Sequence, residues 1–341
     1  MTDRPTYDEL ETAPKPPVPA LQILAPMLAF FSGDNLRSER LMEQTLSSDD
    51  GWVRAAARIG RAGFAENEGD MSRMREDVDA AYVDFSRIGD RWGLASVLTM
   101  RGNARSLDGD VAGAIDDHEQ ALRYANELGS TDDDTLIQLR LAGLRLRAGD
   151  SAGARKAIEA LRADMAERSQ GWERDLFADA ALLGIVLRDG DQVAAAAMAT
   201  DLRERLGERP VDFLHGHAMA IVGGMTALVA MRTGDIPLAM ADLIKIYPIA
   251  LATKDMPVVA NAGVCVAALA EALGRSTDAA EILGAAARLR GSDDATEPVI
   301  SDVTTRLRAR LGRAFDENYA SGRALDREGA IARIDPALLV A

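Results

Sequence analysis

The chain has 341 residues, 48% of them hydrophobic and only 4% aromatic, with a formal net charge of −15 from 54 acidic and 39 basic side chains. Such a length and apolar content bury a large core, whereas a surface this acidic is repelled by a phosphate backbone unless its bases are segregated, so direct nucleic-acid binding is not expected. The single cysteine, Cys265, excludes a disulfide framework and a cysteine metal cluster; with no signal peptide to read, the expected location is cytoplasmic.

Residues 1–19 form a polar lead-in with Pro5, Pro14, Pro16, Pro17 and Pro19, expected to be extended or mobile. Beyond it a Gly-Asp pair recurs at Gly33-Asp34, Gly69-Asp70, Gly109-Asp110, Gly149-Asp150, Gly190-Asp191 and Gly234-Asp235, with a relic at Gly274-Arg275. The glycines stand 36, 40, 40, 41, 44 and 40 residues apart. A fixed period in this range means stacked supersecondary units. Alanine and leucine dominate the periodic segments and no stretch sustains strand-like alternation, so the units are helical hairpins. In each, glycine ends the first helix in left-handed backbone and aspartate caps the second.

The first hairpin is expected over about 21–45, its first helix starting or kinking at Pro26. The second takes 52–68 and 71–88, the third 91–107 and 111–128, the fourth 135–148 and 151–167. The fifth takes 172–188 and 193–206, followed by a break at Glu208-Arg209-Pro210. The sixth pairs an unusually apolar helix, 211–232, with 236–247, which Pro248 is expected to stop; the seventh takes 258–273 and 277–290. The charge-free run 213–231 approaches the length of a membrane span, but it falls in the repeat register and is read as a buried helix. Five residues past the glycine stand Ala114, Ala154, Ala195, Ala239 and Ala279, and seven before it Ala62, Gly102, Ala142, Ala227 and Ala267. Leu183 and Pro26 depart from this register, which makes the first unit the weakest member. After Gly291 a polar break, one amphipathic helix over 303–319 and a short helix over about 326–334 read as a cap on the open end. The expected organisation is a lead-in over 1–19, a repeat array over 20–291 and a capping segment over 292–341.

Small residues at fixed offsets in both helices resemble the tetratricopeptide (TPR) pattern, lengthened beyond its usual 34 residues. Three stretches carry a narrower resemblance. They are Gly89-Asp90-Arg91-Trp92-Gly93-Leu94-Ala95 with Asp117-His118-Glu119-Gln120-Ala121-Leu122; Ala279-Ala280-Glu281-Ile282-Leu283-Gly284-Ala285-Ala286 running to Leu289-Arg290-Gly291; and Leu311-Gly312 with Phe315, Tyr319, Gly322, Leu325 and Ala330. Together they are similar to the C-terminal TPR region of large bacterial transcriptional regulators of the AfsR/SARP type and their ATP-binding LuxR-type relatives. The resemblance implies an all-α, TPR-like α-solenoid of about seven hairpins that senses a signal or partner and restrains other domains. Neither a nucleotide-binding nor a DNA-binding module is legible in the chain. No lysine follows a glycine, so a phosphate-binding Gly-Lys-Ser/Thr loop is absent. Two readings stay open, an excised sensor domain and a short relative acting in trans.

No nucleophile, zinc-helix or Cys-x-x-Cys motif is present. His215 and His217, two apart on a helix, do not share a metal, and His118 reads as structural. No catalytic residue, metal or cofactor is expected, and the chain is not read as an enzyme. The groove-binding candidates lie on the first helices of units two to four: Arg54, Arg58, Arg61, Arg101, Asn103, Arg105 and Arg145, in a series that also includes Arg140 and Arg147. Stacked guanidinium groups can clamp a carboxylate or phosphate; the weightier alternative pairs them with Asp77, Asp84, Asp116 and Glu119. Trp52, Trp92 and Trp172 open first helices as packing anchors. Met219, Met225 and Met231 crowd the sixth unit, as core or as the lining of an apolar pocket. The function expected is a non-catalytic sensor or interaction module binding a partner segment or small effector in its concave groove. The alternative is a stand-alone scaffold or small-molecule-sequestering protein. Protein partners are expected, membrane and nucleic acid are not, and the oligomeric state is open.

Overall fold

The structure is a computed structural model that describes residues 21–32, 34–129, 131–168, 172–207, 216–294 and 296–340. The lead-in over 1–19, Gly33, the break at 208–210 and His215 lie outside the described residues. Seventeen α-helices are described: α1 Leu21–Phe31, α2 Asn35–Leu46, α3 Gly51–Glu68, α4 Met71–Ile88, α5 Arg91–Leu107, α6 Val111–Leu128, α7 Thr131–Arg147, α8 Ser151–Arg168, α9 Trp172–Asp189, α10 Gln192–Gly207, α11 Gly216–Arg232, α12 Ile236–Ala252, α13 Met256–Ala272, α14 Ser276–Arg290, α15 Pro298–Leu311, α16 Arg313–Arg323 and α17 Arg327–Arg333. A 3-10 turn over Pro336–Leu339 follows.

Helices α1 to α14 pair in sequence as seven antiparallel hairpins. The turns form as the Gly-Asp pattern predicts. Gly69, Gly109, Gly149, Gly190, Gly234 and Gly274 have φ between +76° and +90°, a region that costs a side chain about 1–2 kcal/mol. Asp34, Asp70, Asp110, Asp150, Asp191 and Asp235 then each accept the backbone N–H three residues on. At Gly274 the cap is missing: Arg275 makes no side-chain cap bond, and Asp278 in the first turn meets the helix dipole instead. Ala114, Ala154, Ala195, Ala239 and Ala279 are fully buried against the first helix of their own hairpin, as are Ala62, Ala142, Ala227 and Ala267 on the facing side. Gly102 holds that position in the third unit because the buried His118 ring lies over it, 2.9 Å from where a Cβ would stand.

Two expected breaks fall elsewhere. Pro248 does not stop α12, which continues to Ala252 because the buried Ile249 and Ala250 keep that face in the core; Pro26 likewise sits inside α1, its carbonyl accepting the Ser38 hydroxyl at 2.9 Å. The single helix expected over 303–319 is two helices, split at Gly312, whose φ of +56° and ψ of −129° belong to glycine alone. This split folds α16 back onto α14. There Gly284 and Gly322 meet backbone to backbone: a Cβ on Gly284 would collide with the Tyr319 carbonyl, and one on Gly322 with the Glu281 carbonyl. Helix α15 packs on α13 and α14, α17 on α14, and the final turn on α12.

Odd-numbered helices from α3 to α13 form the inner layer, packing on one another in succession except that α5 and α7 meet through the Asn103–Arg140 and Ser106–Arg147 side-chain bonds. The superhelix curves far enough that α3 touches both α13 and α14, so the array closes on itself.

Replacing Gly322 by alanine is expected to destabilise the α14–α16 contact by about 1–3 kcal/mol. Hydrogen exchange should rise in α16 around the buried Phe315 while the early hairpins stay protected. Gly63, helical with no neighbour within 4 Å, serves as control: its alanine variant should gain about 0.5–1 kcal/mol in a thermal melt.

Candidate functional site

The arginines of the inner helices are positioned by acids of the outer ones. Arg61 of α3 reaches Asp77 of α4 with Nε at 2.8 Å and Nη2 at 2.7 Å, and Glu43 with Nη1 at 3.0 Å. One repeat on, Arg101 of α5 makes the same fork onto Asp117 of α6 at 2.9 and 2.7 Å, its guanidinium lying 4.3 Å over the Tyr82 ring. Arg105 adds a 3.1 Å contact to Asp117. Asp77 and Asp117 are both buried, so each clasp joins the two helices of its own hairpin. The pairing raises the Arg61 and Arg101 pKa values further. Arg58 pairs with Asp84, Arg54 donates to the Ser48 carbonyl at 2.6 Å, and Arg145 stands 3.8 Å from Glu119. The Trp52 and Trp92 rings meet at a tilt, 5.7 Å between centroids, across successive units. His118 is buried with Nδ1 lacking a hydrogen bond, and burial lowers its pKa to about 4, so it is neutral at pH 7.

Closure of the superhelix is made by a few polar bonds across a seam. Asn67, at the end of α3, accepts the Met256 N–H at 2.7 Å and donates to the Lys254 carbonyl at 2.9 Å. The backbones of Gly69 and Gly291 touch, and Arg327 pairs with Glu68 at 2.8 Å. Arg147 of α7 donates to Asp294 Oδ1 at 3.0 Å and Thr296 Oγ1 at 2.9 Å, and Thr296 donates to the Ser106 carbonyl at 3.1 Å. Lys254 and Asp294, with φ of +55° and +42°, are the non-glycine residues in left-handed backbone among those described, and both lie in this seam. Such strain persists only where the surroundings hold it.

Inside the closed ring is a cavity of about 380 Å³, lined by α3, α5, α7, α11, α13 and the segment leading into α15. One part of its wall is apolar, with Ile221, Met225, Leu228, Val264, Cys265 and Ile300. The remainder is polar, with Glu66, Asn103, Arg140, Arg147, Asn261, Arg290, Asp294 and Glu297. Arg140 donates to Asn103 Oδ1 at 2.7 Å, and the buried Arg290 donates to Asn261 Oδ1 at 2.5 Å. Desolvation raises the pKa values of Glu66 and Glu297 and lowers that of the buried Arg290, whereas the Arg140 side chain is open to solvent. Burial also pushes the Cys265 thiol up to about 12, so it is protonated and unreactive at neutral pH. Among the described residues no three histidine, cysteine, aspartate or glutamate side chains come together as a metal-ligand set.

Of the residues singled out by sequence, Asn103, Arg140, Arg147 and Met225 come together on this cavity. Met219 is buried in the core shared by units five and six, and Met231 packs against the core of the last units. Glu66, Arg290, Asp294 and Glu297 carried no signal in the sequence, because only closure of the ring brings them to one place.

No family model and no curated protein matches the chain. Its structure is similar to that of a tetratricopeptide repeat protein from Parabacteroides merdae, with a TM-score of 0.51 at 13% identity over 85% of this chain and 98% of that one. It is also similar to a Signal Transduction ATPase with Numerous Domains (STAND) protein with a tetratricopeptide repeat sensor from Pyrococcus horikoshii. There the TM-score is 0.50 at 11% identity, over 89% of this chain and 44% of that one. The fold is an all-α, TPR-like solenoid with helices covering its C-terminal end, a fold suited to protein interaction.

Arg101→Met leaves the buried Asp117 with a weakened partner set and is expected to cost about 3 kcal/mol in urea unfolding, against less than about 0.5 kcal/mol for Arg145→Met. Asn67→Ala removes two seam bonds and is expected to speed amide exchange at Met256 and its neighbours about tenfold, with helicity by circular dichroism unchanged.

Proposed function

We propose that this chain is a non-catalytic sensing and interaction module of a bacterial transcriptional regulator, whose ring of hairpins closes around a small effector or a partner segment. The observation that carries the reading is a seam of few polar bonds, with strained backbone on one side, bordering a half-open cavity. A ligand binding the closed form more tightly than the open one shifts the ring by the difference in affinity. A change in curvature then alters what the outer helices and the C-terminal end present to a regulatory domain or protein partner.

Two observations favour the regulator setting. The likeness to a STAND protein with a TPR sensor places this fold in a sensor elsewhere, and the glycine pair of the α14–α16 crossing lies within the stretches resembling AfsR/SARP-type regulators. A non-catalytic role accords with the chemistry of the side chains: in the cavity Asp294 is held by Arg147 and Cys265 is kept protonated, and His118, outside it, is buried and neutral. A cytoplasmic place belongs to the same proposal; no described helix is long and apolar enough to cross a membrane. A stand-alone binding protein is the second reading, favoured by the likeness covering 98% of the Parabacteroides protein.

Native mass spectrometry of freshly purified protein, paired with hydrogen exchange before and after stripping under mild denaturant and refolding, tests the sensor reading. A retained small mass and a seam over residues 254–256 and 291–297 that loses protection on stripping are expected. A seam equally protected in both preparations, with no mass retained, removes it.

A further inference from the structure

At the α13–α14 end of the cavity a buried guanidinium has no acid in contact. Arg290, the last residue of α14, is 5% exposed and lines the wall, yet its one hydrogen bond among the described residues goes to the neutral Asn261. Buried arginines are ordinarily paired with a carboxylate. The two carboxylates that act on Arg290 through space are engaged elsewhere. Asp294 receives Arg147 at 3.0 Å, and Glu297 caps α15 by accepting the Ile300 N–H at 3.0 Å. Arg140 on the same wall is no parallel, because its side chain is exposed and water serves it.

Asn261 extends the donor set. Its Oδ1 accepts from Arg290 at 2.5 Å, and its amide N–H groups make no hydrogen bond among the described residues. Charge then selects the occupant. Arg290 stays protonated at any pH a protein meets, so a cation is repelled. Desolvation moves the Glu66 and Glu297 carboxyls toward neutrality and biases the lining toward positive charge. A neutral carbonyl would satisfy the N–H groups but not the buried charge, whereas an oxyanion satisfies both. The volume of about 380 Å³ lies at the small end of the roughly 300–1,000 Å³ of small-molecule sites, and the apolar wall calls for an apolar body.

We propose that the cavity binds a small organic oxyanion, its head group held by Arg290 and the Asn261 amide and its apolar body laid against Met225, Leu228 and Val264. The assignment rests on the sensor reading above and adds the class of effector and the residues that take its charge. It also ties the site to the seam. Arg290 leads directly into Gly291, whose backbone touches Gly69, and Asp294 lies four residues on.

The test titrates the full chain calorimetrically with four probes built on one ring system: 2-naphthoic acid, 2-naphthyl phosphate, 2-naphthamide and 2-naphthylmethylamine. At least one of the two acids is expected to bind tenfold or more tightly than the amide, and the amine not measurably; the tighter acid names the head group. Asn261→Asp, at an exposed position, sets a carboxylate against Arg290. It is expected to raise the melting midpoint by about 2 °C and to weaken the acids at least tenfold, with the amide unchanged. Arg140→Gln is expected to change the acids less than threefold. Met225→Trp, at a half-buried position, is expected to abolish binding of acids and amide while a thermal melt shows the chain still folded; Ile221→Trp replaces it if it does not fold. Equal binding of acids and amide, or tightest binding of the amine, overturns the oxyanion class and leaves the sensor reading standing. Acids bound as well by Asn261→Asp as by the parent chain, or weakened more by Arg140→Gln, overturn the assignment to Arg290. Binding that survives the tryptophan variants places the ligand outside this cavity and overturns the proposal. If no probe binds, a retained anionic compound upholds the class, and a retained compound without an anionic group removes it while the sensor stands. If no probe binds and nothing is retained, both fall.

Discussion

The architecture depends on one local constraint, repeated: a residue in left-handed backbone followed by a carboxylate that accepts the first free N–H groups of the next helix. Glycine makes the reversal without strain, and the aspartate fixes where the second helix begins. Because the reversal recurs near every 40 residues, each hairpin stacks on the one before it and the array curves as it grows. The buried alanines set how closely the two helices of a hairpin approach. Seven such hairpins curve far enough for α3 to meet α13 and α14.

Charge in this molecule works both inside the units and between them. The Arg61–Asp77 and Arg101–Asp117 forks hold inner to outer helices and leave those guanidinium groups spoken for, despite their alignment along the concave side. The same residue type behaves differently one helix later. Arg147 crosses the seam to Asp294, and Arg140 faces the cavity with only an amide beside it. Arginines on successive inner helices thus differ in their partners: Arg61 and Arg101 hold an outer-helix acid, Arg147 an acid across the seam, and Arg140 an amide.

Much of this could be read from the sequence, because the signals were local. The Gly-Asp ladder placed the hairpin turns from the second unit onward and their helices to within about five residues, and the flanking alanines gave their packing faces. Breaks set by tertiary contacts were misjudged. Pro248 stays helical because Ile249 and Ala250 are held in the core, and Gly312 turns the chain because α14 offers Gly284 as a landing site for Gly322. The cavity was out of reach for a different reason. Asn67 and Lys254 are 187 residues apart, and no pattern within a repeat records that these two ends meet. Of the three methionines Met225 lines the cavity; spaced six residues apart on α11, they stand about 240° from one another around the helix and cannot share a face.

Closure also fixes the number of units. An open solenoid tolerates gain or loss of a repeat, since each neighbour sees only the next. Here the side chain of Asn67 must arrive at the backbone of Met256, and Gly69 at Gly291. One hairpin more or fewer would carry α3 past α13 by the width of a unit, and no substitution at the seam could restore the fit. The molecule belongs to a modular class, yet its length is set as strictly as the strand count of a closed barrel.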